Sequence, residues 1–281
     1  MAPRTGVGAS SNYFPGLLAV AWQAAAQLVR SPSHSRRAGA ARRLARHVLV
    51  ATAIVSAVII ALMYALDATE IGWMPKRGTP SLWPIRILTD FGKSAYVLWA
   101  LAGLLFVVAI TAPRFHGTSR FLLLGLGTRL QFVFFAVLVP VLVGEVLKWM
   151  VGRGRPFVGG EGNVFNFRHF GGTEAFASFP SGHAITGFAL AFAVSALWPQ
   201  ARFVMVVYAV AIALSRLVLL AHHPSDVVAG ALVGVIGAMA VRYWFAARRL
   251  GFAIRGDGTI VPLPGPSLGH LKRVAGGASA P

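Results

Sequence analysis

Apolar residues in this chain come in long blocks, separated by short polar and basic segments. Six blocks read as membrane-crossing helices: His47–Leu66, Ala95–Ala112, Arg129–Trp149, His183–Trp198, Phe203–Ala221 and Val227–Phe245. The first runs for about 20 residues without a formal charge, enough to cross roughly 30 Å of hydrocarbon. His183–Trp198 is short for a span. Phe121–Leu126 reads as an interfacial approach to the third block, and Arg129 lies at a membrane face where its side chain snorkels. Phe14–Val29 has a different pattern. Gln23 and Gln27 share one helical face, and Leu17, Leu18, Ala21, Ala25 and Leu28 share the other, which predicts a surface-lying helix rather than a signal peptide. Gly251–Pro281 is rich in Gly and Pro and reads as flexible. The expected fold is all-α: an integral-membrane six-helix bundle over 47–246 with an N-terminal interfacial helix. A basic tail (1–46) precedes it and a flexible basic tail (247–281) follows.

Composition supports a membrane protein. Of 281 residues 56% are hydrophobic and only 12% charged, with a mean hydropathy of +0.68; a soluble domain is about a quarter charged. The formal net charge is +18. Most of the arginines flank apolar blocks and form no groove with interleaved aromatics, so the charge points to orientation and anionic lipid, not to nucleic acid. Lys and Arg in the two tails and the 113–120 and 199–202 loops outnumber Lys76, Arg77, Arg86, Lys93, Lys148, Arg153, Arg155 and Arg168 on the other side. The positive-inside rule then places both termini in the cytoplasm of a bacterial-type plasma membrane. Cysteine is absent, which removes disulfides, thiolate metal sites and thiol nucleophiles.

Three polar clusters fall at helix ends on the same, outward side. The first is K-W-M-V-G-R-G-R-P, Lys148–Pro156. Lys148 and Arg155 are about two helical turns apart and would share a side if the helix continued. Glu145 reads as a helix-face partner of Lys148. The second cluster is Phe179–His183, F-P-S-G-H, a helix start whose free N–H groups suit an anion. The third is S-R-L-V-L-L-A-H-H-P-S-D, Ser215–Asp226, in which Arg216 interrupts an apolar block, a costly position without a polar partner. Together they fit a bound phosphate. Lys148, Arg155 and Arg216 would hold its oxygens, and Ser181 and Gly182 would add donors. His222 would attack phosphorus with Asp226 fixing its tautomer, and His183 would protonate the leaving oxygen and later activate water.

Lys148-x6-Arg155-Pro156, Pro180-Ser181-Gly182-His183 and Ser215-Arg216-x5-His222-x3-Asp226 together resemble, in order, the three signatures of the type 2 phosphatidic acid phosphatases. The resemblance covers about residues 47–246. It implies a six-helix membrane bundle, no metal or other cofactor, and a phosphohistidine at His222. Vanadium haloperoxidases share the constellation but are soluble. The implied partner is a phosphorylated lipid: phosphatidate, phosphatidylglycerophosphate, undecaprenyl diphosphate or a lipid A type phosphate. Two alternatives stand beside hydrolysis: transfer of the phosphoryl group to an alcohol, and a non-catalytic lipid binder or transporter. The latter predicts damage at one of the eight motif positions, and all eight are intact. His223 lies outside the pattern and reads as a loop residue. Six phenylalanines in the 157–179 loop read as interfacial anchors; the sharper alternative is a headgroup lid in which Arg168 meets a second phosphate.

Overall fold

The structure, a computed structural model, describes residues 13–156, 158 and 163–264. Residues 1–12, Phe157 of the aromatic loop and the tail from 265 onward lie outside them. The described chain folds into helices α1 (Tyr13–Val29), α2 (Arg37–Ala65), α3 (Asp67–Trp73), α4 (Trp83–Asp90), α5 (Ser94–Thr111), α6 (Gly117–Val151), α7 (Gly182–Leu197), α8 (Arg202–Val218) and α9 (Pro224–Ala247), then strands β1 (Phe252–Ile254) and β2 (Ile260–Pro262).

Among the described residues, five stretches are long and apolar enough to cross a membrane: Arg37–Ala65, Pro80–Arg114, Gly117–Val151, Pro199–Val218 and Pro224–Ala247. The helix expected as the fourth span, α7, has 16 residues and a rise of only about 24 Å. It nevertheless sits at the centre, packed on α6, α8 and α9. Phe121–Leu126, expected as a separate approach, is continuous with α6, whose 35 residues reach about 52 Å. Its first turns therefore extend well past the bundle's apolar middle.

Small residues let the central helices touch. Ala184, Ala189 and Ala193 of α7 are fully buried, facing glycines of α9. A Cβ on Gly230 would lie 2.5 Å from the Ser181 carbonyl oxygen, and one on Gly234 would lie 2.5 Å from that of Ile185. Without a hydrophobic drive between helices in lipid, this backbone-to-backbone approach is how dispersion contacts accumulate.

The chain after α9 departs from the flexible tail expected. Strands β1 and β2 pair antiparallel, Phe252 opposite Pro262. Phe252 is buried edge-on against Phe132 of α6 with ring centroids 4.7 Å apart, and Ile254 is buried with it. The Ile254 N–H donates to His34 Nε2 at 3.1 Å. Glycine here served the turn, Gly258 having φ +80°, while two apolar side chains anchored the strands. The N-terminal helix is also more engaged than a surface helix. Tyr13 donates to the Ile110 carbonyl at 2.8 Å, and Gln23 and Gln27 line a cavity of about 440 Å³ shared with α5 and α6.

The α7–α9 contact yields a direct test. Gly230→Ala drives a methyl group into a backbone carbonyl that cannot swing away, so it should cost about 1–3 kcal/mol. Gly103→Ala, where nothing lies within 4 Å, should be neutral or slightly stabilising. Unfolding temperatures in detergent check both; equal behaviour of the two variants would contradict the packing described.

Candidate active site

The three clusters converge because α6 and α8 end where α7 and α9 begin. Lys148 lies in the last turn of α6, Gly182 and His183 in the first turn of α7, Arg216 in the last turn of α8 and Asp226 in the first turn of α9. Helix α6 stops at Val151 because Gly152 takes a left-handed conformation, φ +59°. A Cβ there would meet the Arg168 carbonyl. The helix therefore does not continue to Arg155, and the helical-turn relation of Lys148 to Arg155 is replaced by a loop that brings Arg155 round to the same cavity.

That cavity, about 310 Å³, is lined by Lys148, Arg155, Gly182, His183, Arg216 and His222, with Lys93, Glu145 and Glu174 among its other walls. Lys148 Nζ pairs with Glu145 at 2.6 Å and lies 3.0 Å from where a Cβ of Gly182 would be, so glycine leaves room for the ammonium. Arg155 Nε donates to the Glu174 carbonyl at 3.0 Å, and its guanidinium lies 3.6 Å from the Glu174 carboxylate. Arg216 donates to Thr89 Oγ1 at 2.8 Å, and its buried Nε has no partner among the described residues. His183 Nε2 is likewise buried without a partner among the described residues. Ser181 is fully buried and its hydroxyl has no partner; it sits behind the cavity wall, its N–H donated to the Asp226 carbonyl at 2.9 Å.

Asp226 does not touch His222 as expected. The nearest acceptor for His222 Nδ1 is the Ser178 carbonyl at 2.8 Å, whereas Asp226 Oδ2 is 3.9 Å away. A carbonyl accepts only, so Nδ1 carries the proton and the Nε2 lone pair is left free. Burial, reinforced by the Arg216 and Arg155 cations, holds the His222 imidazole well below its ordinary 6.5.

Asp226 belongs instead to a buried network behind the cavity, centred on Arg153. The Arg153 guanidinium is fully enclosed. It donates to Asp226 Oδ1 at 2.7 Å, Ser225 Oγ at 2.6 Å, Asp67 Oδ2 at 2.8 Å and the Val164 carbonyl at 2.9 and 3.1 Å. Asp226 Oδ2 accepts from the Ser178 hydroxyl at 2.6 Å and the His223 N–H at 2.9 Å. One carboxylate thus holds both Ser178, which His222 contacts, and His223, its neighbour in the chain. His223, taken from sequence as a loop residue, caps α9 and is buried. Glu70 is buried nearby with both oxygens unpartnered, and burial beside Asp67 and Asp226 pushes its carboxyl up to about 7.

With this geometry in view, likeness to known proteins is informative. The PAP2 superfamily matches residues 129–250, which include all eight motif positions. A Lipid A 1-phosphatase of Rhizobium johnstonii is 33% identical over 174 residues, 61% of this chain and 71% of that protein. The chain belongs to the PAP2 superfamily. This bears out the resemblance to type 2 phosphatidic acid phosphatases. The PAP2 chain is also similar to a Lipid A 1-phosphatase of Rhizobium etli, 33% over 150 residues, 53% of this chain and 64% of that protein. A third relative, the Bacitracin transport permease protein BcrC of Bacillus licheniformis, is 31% identical over 111 residues, 40% of this chain and 52% of that protein. No solved structure matches the chain. Its apolar helices and these relatives together make the PAP2 chain a multi-pass membrane protein.

Sequence reasoning missed Arg153, Asp67 and Ser178. A signal existed for the first: Arg153 lies between two glycines just past a helix end, where an arginine with no lipid-facing role needs a partner. Asp67 was legible only as an acid closing the first apolar block. Arg153→Gln leaves two buried carboxylates without their cation and should cost about 3–5 kcal/mol. Arg153→Lys keeps the charge but cannot fork to both acids, so it should fall between. Adding Asp67→Asn to Arg153→Gln should cost less than the sum of the single changes, read from a double-mutant cycle of unfolding.

Proposed function

We propose that this protein is an integral-membrane lipid phosphate phosphatase that cleaves a phosphate from a lipid A type headgroup through a phosphohistidine at His222. The observation that carries this is the cavity in which two histidines face Lys148, Arg155 and Arg216 at one end of the bundle. The 33% identity to two Lipid A 1-phosphatases supports the substrate class. Arg155 and Arg216 present forked donors to phosphate oxygens, Lys148 a point charge, and the α7 N-terminus backbone N–H groups. The neutral Nε2 of His222 attacks phosphorus as the P–O bond to the lipid breaks, and His183 supplies the proton to the leaving oxygen. The proton comes from the imidazolium form of His183, which becomes neutral; neutral His183 then takes a proton from water as that water attacks phosphorus, the P–N bond breaks and inorganic phosphate leaves. Asp226 acts through the Ser178 and His223 segments, as a positioning residue. Glu145 and Glu174, the carboxylates among the lining residues, are already paired with Lys148 and Arg155, which favours a cation-walled anion site over a carboxylate-held metal.

Purified protein in detergent should release inorganic phosphate from lipid A 1-phosphate in the presence of EDTA. His222→Ala should fall to background, and His183→Ala by about 10²–10⁴-fold. Labelled phosphate should be trapped on wild type at early times and not on His222→Ala. Because the lowered His222 keeps the free protein's nucleophile neutral, protonation quenches it only below 6.5, so the acid limb of kcat/KM should lie there and not nearer neutrality. Turnover that vanishes in EDTA and returns with Mg²⁺, or that survives His222→Ala, would overturn the mechanism.

Six crossings, with α7 as a short one, would leave both termini on the same side, and the loop arginines favour the cytoplasm. The phosphatase site then faces outward. Since the chain has no cysteine, His169→Cys in the loop before α7 should react with a membrane-impermeant maleimide on intact spheroplasts. Gly256→Cys in the β1–β2 turn should react only after lysis. The reverse labelling pattern would place the chemistry in the cytoplasm.

A further inference from the structure

A second cavity, about 170 Å³, lies at the opposite end of the bundle, where α2, α9 and the β1–β2 turn meet. Its lining includes Arg43 and His47 of α2, Arg242 and Met239 of α9, and Gly258 and Thr259 of the turn. Along α9, Arg242 is about 24 Å of helix rise from Asp226. The two cavities are therefore separated by most of the bundle's apolar thickness, and nothing in the phosphatase mechanism uses this one.

Its charge is unbalanced. Arg242 sits over the Phe192 ring at 5.0 Å, its Nε is buried, and it has no hydrogen bond or ion pair among the described residues. Arg43, one turn from His47 on α2, has a single weak pair, 3.8 Å to Asp257. The Asp257 carboxylate is occupied: one oxygen accepts from Thr259 N–H at 2.9 Å and from the Thr259 hydroxyl at 2.7 Å. Two guanidiniums and an imidazole thus surround a hollow whose one nearby carboxylate, Asp257, bonds Thr259 through Oδ1 and reaches Arg43 only at 3.8 Å through Oδ2. An arginine with its Nε buried in the last turns of an apolar helix is costly without an oxyanion, and its fork matches phosphate. Position favours a lipid over a free anion. The pocket's Arg242 lies five residues from the last residue of the apolar helix α9, and the next turns of α2 toward its apolar stretch expose Leu49, Val50 and Ile54, at 71%, 51% and 60%, a surface suited to acyl chains.

We propose that this pocket binds the phosphate of an anionic phospholipid headgroup, held by Arg242 and Arg43 with His47 at the rim. Detergent-purified full-length protein would be mixed with equal phosphatidylglycerol and phosphatidylcholine and examined by native mass spectrometry. Wild type should retain phosphatidylglycerol preferentially, and Arg242→Gln should lose that preference about tenfold while hydrolysing its substrate normally in phosphatidylcholine micelles. The double variant Arg43→Gln, His47→Gln, on the more exposed wall, should show the same loss and carries the test if Arg242→Gln fails to fold. Asp257→Asn should raise retention, since it removes the competing carboxylate. Undiminished phosphatidylglycerol retention by the folded variants would overturn the proposal. So would displacement of the lipid by inorganic phosphate alone, which would mark a site for free anions.

Discussion

The contact on which the rest depends is the buried fork of Arg153. It joins the end of the first long helix, through Asp67, to the start of the last, through Ser225 and Asp226, and fastens the loop between them through the Val164 carbonyl. Enclosing one cation and two carboxylates is costly unless every lone pair and proton is engaged. Here both carboxylate oxygens of Asp226 and both of Asp67 accept hydrogen bonds. The network does not enter the cavity. It decides where the cavity wall stands, because the same Asp226 that Arg153 fixes also holds the Ser178 hydroxyl and the His223 N–H on either side of the histidine contact.

The cavity follows from a second constraint, the closeness of α7 to α9. Helix α7 is too short to span comfortably, and its N-terminus stops inside the bundle, level with the ends of α6 and α8. That places free backbone N–H groups beside Lys148, Arg155 and Arg216 rather than at the headgroup surface. Only glycine at 230 and 234 permits the approach, so the depth of the site and the smoothness of one helix face are the same fact.

Much of this was legible in the sequence. Apolar block length placed four of the helices within a few residues but began α2 and α6 ten or more residues late, and motif spacing picked out six of the residues that line the cavity. What failed was longer in range. Period and spacing cannot show that Gly152 turns the chain so that Arg153, not Arg155, dives inward. Nor can they show that a backbone carbonyl, with no side-chain identity to read, takes the place assigned to Asp226 beside His222. The misreading of residues 251–264 was compositional: Gly and Pro suggested flexibility, while two residues, Phe252 and Ile254, were enough to seat a hairpin on the core.

The Arg153 fork also has a bearing on biogenesis. A membrane protein is threaded from its N-terminus, so Asp67 arrives first, Arg153 after three further helices have begun, and Ser225 and Asp226 only with the last long helix. Until then Asp67 and Arg153 sit at helix ends where water can still reach them, and their enclosure waits for α9. The cavity-lining cations Lys148, Arg155 and Arg216 are thus all synthesised before the wall behind them can close. A chain released before residue 224 would carry every cation lining the cavity and would lack the Asp226 contacts that hold Ser178 and His223 beside His222, which ties completion of this end of the bundle to completion of the polypeptide.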